Sequence, residues 1–277
     1  MAYQFRTAIG QNIYNQKYSH EGAYTWPQLS EQLVKEVLGC EEAAMCGAIT
    51  QDDIRELTQY VTDMKFIPGG RHLHYAGRPL KAYNNCYLLK GEEDTREEWG
   101  SLLKRASDCL MTGGGIGIDY SVFRAEGTHL KRTGGKASGP IPLMHSVNET
   151  GRNVMQGGSR RSAIYASLNW KHGDATSFLK MKDWHSMRIG NQIADGGHPY
   201  TVWHAKQEAF NYHAPLDMTN VSLNYDDAWL FMKNRDKDAT FLQNVQQALR
   251  TGEPGFSFNF GSKQNETLRN ACCEVVS

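Results

Sequence analysis

The sequence predicts an α/β fold with parallel strands. Three observations carry this. Short apolar strand-like segments alternate with amphipathic helical stretches, helix starts are marked by capping residues, and glycine turns separate helix from strand. The 277 residues are enough for one large domain or two ordinary ones. A hydrophobic content of 40% with 22% charged residues is that of a globular chain. Lys+Arg and Asp+Glu are both 30, so the chain lacks the basic excess of a nucleic-acid-coating protein.

The elements follow in order. Leu29, Leu33, Val34, Val37 and Leu38 recur at helical spacing, and Gly39 is the stop. Thr50 and Asp53 form a capping-box pattern ahead of a helix with Ile54, Leu57, Val61 and Met64 on one face, ended by Pro68-Gly69-Gly70. These make an N-terminal helical region, residues 1–65. Tyr87-Leu88-Leu89 reads as a strand. Thr95 and Glu98 cap a helix bearing Trp99, Leu102, Leu103, Ala106 and Leu110. Gly113-Gly114-Gly115 turns it into the strand Ile116–Tyr120. A glycine-rich basic loop spans 126–140, a helix 141–156, and a strand 163–168. Further helices fall near 175–182, 225–234 and 239–250, and Phe256, Phe258 and Phe260 alternate as a strand. Residues 184–215 lack periodicity and read as a surface insertion.

Several spots invite a chemical reading. The glycines at 113–117 follow a helix and precede a strand, the reverse of a dinucleotide loop, so a tight turn is the better account. Gly157-Gly158-Ser159-Arg160-Arg161 puts two guanidinium forks behind a flexible turn, which suits phosphate or carboxylate recognition as well as a solvated loop. His72 and His74 would share a strand face. No His or Cys pair has a metal-ligand spacing, so no metal site is assigned. Cys40, Cys46 and Cys109 read as ordinary buried thiols. In Asn270-Ala271-Cys272-Cys273-Glu274, an amide and a carboxylate flank a thiol at i−2 and i+2, on one side of an extended segment. That set offers a nucleophile or hydrogen-atom carrier, an orienting amide and an acid/base.

Eight segments taken together resemble the catalytic subunit of ribonucleotide reductase, in that family's order over about residues 60–277. They are Phe66-Ile67-Pro68-Gly69-Gly70-Arg71, Asn84-Asn85-Cys86, Gly113–Ile118, Ala137-Ser138-Gly139-Pro140, Arg160-Arg161-Ser162-Ala163, Asp217–Ser222, Gly252-Glu253-Pro254-Gly255-Phe256 and Asn270–Glu274. The wording is most similar to the adenosylcobalamin-dependent class II type, phage-like members included. The alternative is a class I large subunit that takes its radical from a separate metal-containing subunit. A non-catalytic nucleotide-binding half that needs a second polypeptide is a third reading.

The resemblance implies a fold: residues 66–277 form the first half, about five strands, of a ten-stranded α/β barrel and end in the radical-cysteine loop. It implies reduction of ribonucleotides, as triphosphates, to 2′-deoxyribonucleotides for DNA synthesis. Cys272 takes the role of thiyl radical, Glu274 of proton acceptor from the 3′-hydroxyl, and Asn270 of substrate-hydroxyl ligand. Cys86 is one of the redox pair that becomes a disulfide. Asn85 and the loop Gly157, Gly158, Ser159, Arg160 and Arg161 serve substrate and base specificity, and Asp119, Ser121 and Arg124 bind the effector. The implied cofactor is adenosylcobalamin, or none on this chain in the class I alternative. The implied partners are a ribonucleotide, a deoxynucleoside triphosphate effector, a thioredoxin- or glutaredoxin-type reductant and a complementary C-terminal barrel half. Without that half the chain is expected to be inactive. Ala271 and Cys273 depart from the family's usual proline and small residue, which leaves open which thiol reacts. The family's extra N-terminal nucleotide-binding helical module has no counterpart in this sequence, so on/off control through it is not expected. No apolar run long enough to span a membrane and no signal core occur, which predicts a cytoplasmic protein that binds neither membrane nor nucleic acid directly.

Overall fold

A computed structural model describes residues 3–39, 49–131, 133–154, 163–263 and 265–269. The chain forms two compact units, Met1–Asn85 and Cys86–Ser277.

The first unit is helical: α1 (Ala8–Lys17), α2 (Trp26–Leu38), α3 (Gln51–Thr62) and α4 (Gly70–Tyr75). The capping box forms as the sequence predicts. Thr50 N–H donates to Asp53 Oδ2 at 2.7 Å, and Asp53 N–H to Thr50 Oγ1 at 3.2 Å. Leu29, Leu33, Val34 and Val61 close over Trp26 and Tyr14 as this unit's core. Burial pushes the Tyr14 hydroxyl up to about 12. His72 and His74 lie on α4, not on a strand. The pattern misleads because α4 is only six residues long, too short to show a helical period.

The second unit is an α/β layer built on β1 (Cys86–Lys90), β2 (Gly115–Asp119), β3 (Ile164–Asn169), β6 (Thr219–Tyr225) and β7 (Gly255–Phe258). These pair in the order β1-β2-β3-β6-β7, every neighbour parallel. The expected α/β sheet of five strands is therefore present. Its helices are α5 (Arg96–Met111), α6 (Ile141–Asn153), α7 (Ala175–Lys180), α9 (Asp227–Leu230) and α10 (Ala239–Thr251). Leu102, Ala106 and Leu110 of α5 and Leu143, Met144 and Val147 of α6 bury against Ile116, Ile118, Ile164, Ala166, Leu168, Val221 and Leu223. Each strand contributes alternate residues to this apolar face, as its period of two requires.

Three local outcomes depart from the sequence reading. Thr95 caps α5 by accepting from Glu98 N–H at 3.1 Å, but the Glu98 carboxylate turns to Glu92 N–H and Arg105 instead of closing the box. The helix expected near 225–234 is only Asp227–Leu230, because residues 219–225 form a strand whose apolar Val221, Leu223 and Tyr225 alternate with polar side chains. Residues 184–215 are not irregular. They hold an antiparallel pair, β4 (Arg188–Ile193) and β5 (Pro199–Thr201), and α8 (Val202–Glu208). Gly196 and Gly197, at φ +88° and +81°, make the turn; β4 is too exposed and β5, at three residues, too short for a hydrophobic signature.

Candidate active site

The second face of the parallel sheet is polar and glycine-rich. From β1 to β7 it reads Cys86, Leu88, Lys90; Gly115, Gly117, Asp119; Tyr165, Ser167, Asn169; Asn220, Ser222, Asn224; Gly255, Ser257, followed by Asn259. Asp119, Ser167, Asn224, Ser257 and Asn259 are all buried. A polar face on a buried parallel sheet is unusual, because such strands normally read as continuous apolar runs. Buried polar groups persist where they hydrogen-bond, and these do. Asn224 Nδ2 donates to Ser167 Oγ at 3.1 Å, and Asn259 Nδ2 to Ser257 Oγ at 3.2 Å. The Tyr165 hydroxyl shares hydrogen bonds with Ser222 and Ser257. Burial pushes it up, and those bonds and the Arg269 charge offset part of the rise.

Cys86 opens β1 on this polar face, half-buried, with Gly115 as its register partner. A Cβ at Gly115 would stand 3.4 Å from Cys86 Sγ and 3.3 Å from the Ala163 carbonyl oxygen. A side chain at this position would therefore touch the thiol. Asn85 precedes it and is exposed.

Asp119 and Ser121 meet at the far end of β2. Asp119 Oδ1 accepts from Ser121 N–H at 3.0 Å and from the Ser121 hydroxyl, whose oxygen accepts from Asn169 N–H at 2.8 Å. Arg124 does not join them. It binds Asp94 through Nε at 2.7 Å, its own N–H at 3.1 Å and Nη2 to the carbonyl at 2.9 Å. Asn270, Cys272, Glu274 and the loop Gly157, Gly158, Ser159, Arg160 and Arg161 lie outside the described residues. So do Cys40 and Cys46, whereas Cys109 is half-buried on α5 and burial pushes its thiol up.

Two residues just upstream of position 270 do reach the sheet. Thr267 hydroxyl donates to Asp119 Oδ2, and Arg269 Nη2 donates to Asn259 Oδ1. Sequence reasoning passed over these, and over Tyr165, Ser222 and Ser257. The alternation Tyr165-x-Ser167-x-Asn169 and Asn220-x-Ser222-x-Asn224 was the signal that one sheet face is polar.

Residues 84–253 match the family described as ribonucleotide reductase, barrel domain. The chain belongs to the ribonucleotide reductase barrel family. The match opens at Asn84-Asn85-Cys86, where β1 begins. The ribonucleoside-diphosphate reductase large chain of Schizosaccharomyces pombe is 33% identical over 233 residues, 74% of this chain and 28% of that one. The Arabidopsis thaliana large subunit is 30% identical over 141 residues, 50% of this chain and 17% of that one. The vaccinia virus large subunit is 31% identical over 132 residues, 47% of this chain and 17% of that one. The chain thus spans about a quarter or less of the curated ribonucleotide reductases it resembles. Among solved structures, the Actinobacillus ureae class Id ribonucleotide reductase alpha subunit superposes with a TM-score of 0.63 at 14% identity, over 93% of this chain and 41% of that one. This likeness supports the same fold, a partial ribonucleotide reductase barrel. Among the described residues no helix is long and apolar enough to cross a membrane.

Proposed function

We propose that the chain supplies one half of the catalytic barrel of a ribonucleotide reductase and that Cys86 is one of its two reducing thiols. The observation that carries this is the position of Cys86. It opens the first strand of a family-matched sheet, half-buried on the polar face, with Gly115 as its register partner. The reaction is a balanced exchange. A 2′-hydroxyl leaves as water, hydrogen replaces it, and two thiols become one disulfide. Cys272 carries the transient radical by taking and returning the 3′ hydrogen, Glu274 accepts the 3′-hydroxyl proton, and Asn270 holds the hydroxyls. A thiol S–H bond is close enough in strength to a ribose C–H bond for that exchange to be reversible. The polar face would sit around the sugar and keep bulk water from the radical. The second reducing thiol and the phosphate cradle come from a complementary barrel half, and a thioredoxin- or glutaredoxin-type protein resets the disulfide. Asn85 and the Gly157–Arg161 loop contact substrate, and a deoxynucleoside triphosphate binds near Ser121 and Arg124.

The relatives quoted above are named diphosphate reductases and large chains or subunits, and the structural neighbour is a class Id alpha subunit. These names favour a diphosphate substrate and a radical delivered by a separate metal-containing subunit. The adenosylcobalamin reading differs only in radical source and phosphate count, and the residues named here serve both. Reconstitution separates them: this chain, a complementary half and dithiol reductant are assayed with CDP or CTP, with either adenosylcobalamin or the metal-containing subunit. Deoxycytidine diphosphate formed only with the metal-containing subunit is the expected result. Deoxycytidine triphosphate formed with adenosylcobalamin would establish the other class. No deoxynucleotide under any condition would refute the enzyme reading.

A further inference from the structure

Two side chains just upstream of position 270 bind the polar face of the sheet. Thr267 and Arg269 are two positions apart, and one reaches β2 while the other reaches the residue just past β7. Thr267 donates to Asp119 at the end of β2, across 148 residues of sequence. Arg269 donates to Asn259, which directly follows β7, and its charge acts on Tyr165 of β3. Only Leu268 separates the two residues, so one short stretch holds both contacts at once. The receptors are themselves fixed. Asp119 is only 4% exposed and is held by Ser121, whose hydroxyl is tied to β3 through Asn169 N–H. Asn259 is 1% exposed and bound to Ser257. Arg269 also donates from Nη1 to the carbonyls of Glu266 and Leu268, bracing its own turn.

We infer that Thr267 and Arg269 form a two-point latch that seats the segment leading to Cys272 on the polar sheet face, with Asp119 and Asn259 as its receptors. The inference rests on the proposed function for the role of Cys272, three positions beyond Arg269. The four are positioning residues, for none has to touch substrate. Hydrogen-atom transfer depends steeply on the distance between sulfur and the 3′ carbon, and a misplacement of about 1 Å costs on the order of a hundredfold in rate. Two anchors, one on β2 and one just past β7, fix both the height and the direction of a segment, which one anchor cannot do. This gives Asp119 an interior role in place of the effector contact that the family resemblance implies.

The test has two arms. In the 277-residue chain, hydrogen exchange of residues 265–269 reads the latch without any activity. Thr267→Val should speed exchange there by about tenfold while Thr267→Ser leaves it unchanged and the thermal midpoint of both stays at the wild-type value. Unchanged exchange in Thr267→Val would overturn the latch whatever the enzyme does. In the reconstituted enzyme, Thr267→Val should lower kcat by roughly tenfold to a hundredfold with KM unaltered, and Thr267→Ser should restore it. In an Asp119→Ala background, Thr267→Val should cost nothing more, because the two act through one bond. If Asp119→Ala does not fold, Arg269→Gln paired with Asn259→Ala makes the same comparison. Additive losses, or losses confined to KM, would overturn the inference. Lost deoxynucleoside triphosphate affinity in Asp119→Asn would return that residue to the effector. If the wild-type reconstituted enzyme makes no deoxynucleotide, the function fails, and the exchange measurement still decides the latch.

Discussion

Gly114 shows how tightly a single residue is specified. A Cβ there would lie 2.3 Å from Tyr87 Cε2, on a ring that packs against the main core. Gly113, at φ +85°, turns the chain so that this approach is possible. Gly114→Ala should therefore destabilise the second unit by about 1–3 kcal/mol, measured by denaturant unfolding, although it adds one methyl group. A cost under about 0.5 kcal/mol would show that the Tyr87 ring yields freely. Asp217 gives a second prediction. Burial alone would raise its carboxyl, but hydrogen bonds and charge from Lys206 and Arg152 outweigh burial and hold it below the usual carboxylate range. A lowered folded value contributes stability that is full above the unfolded-state value near 4 and is lost as pH falls through the folded one. Asp217→Asn should cost about 1–3 kcal/mol at pH 7, since it takes the carboxylate from Lys206 and leaves Arg152 paired with Glu149 alone. The gap to wild type should close as the pH is taken below about 4. A gap that stays constant down to acid unfolding would contradict the pairing.

At the scale of elements, α5 and the strands it covers decide stability. Leu102 and Leu110 are fully buried at the helix–sheet contact, whereas Leu249 on α10 is 84% exposed. Leu102→Ala should cost about 2–5 kcal/mol and Leu249→Ser less than about 0.5 kcal/mol, by denaturant unfolding. Similar costs at both positions would mean that the apolar face is not the core. The helices of this layer were legible because long amphipathic segments repeat their period several times and carry capping residues such as Thr95. Strand β2 was legible because a glycine turn precedes an apolar run. Strand β6 carried a strand's alternation, Val221, Leu223 and Tyr225 against Asn220, Ser222 and Asn224, but ran straight into the helical stretch at Asp227 with no glycine or proline to mark its end. The β4–β5 pair and α4 were too short or too exposed to leave a pattern. Cys86 could be singled out only through the family motif. Thr267 and Arg269 left no trace, since a hydrogen bond spanning 148 residues has no local signature.

At the scale of the whole molecule, the sheet has two chemically distinct faces. One is apolar and roofed by helices. The other is polar and glycine-rich, with Cys86 at the start of its edge strand and the segment 265–269 bound at the far end of β2 and just past the end of β7. Such an arrangement suits an enzyme that must hold a sugar, exclude water and pass reducing equivalents through thiols. The central claim is that Cys86 is a reducing thiol of a ribonucleotide reductase. Its most direct test is a single-turnover experiment on the reconstituted enzyme, pre-reduced and then freed of external dithiol. Deoxycytidine diphosphate is quantified, and the thiols are alkylated and read by mass spectrometry. The account predicts one deoxynucleotide per active site, conversion of Cys86 from an alkylated thiol to a disulfide in step with product, and none of this product in Cys86→Ser. Product formed while Cys86 remains a thiol, or formed equally by Cys86→Ser, would contradict it.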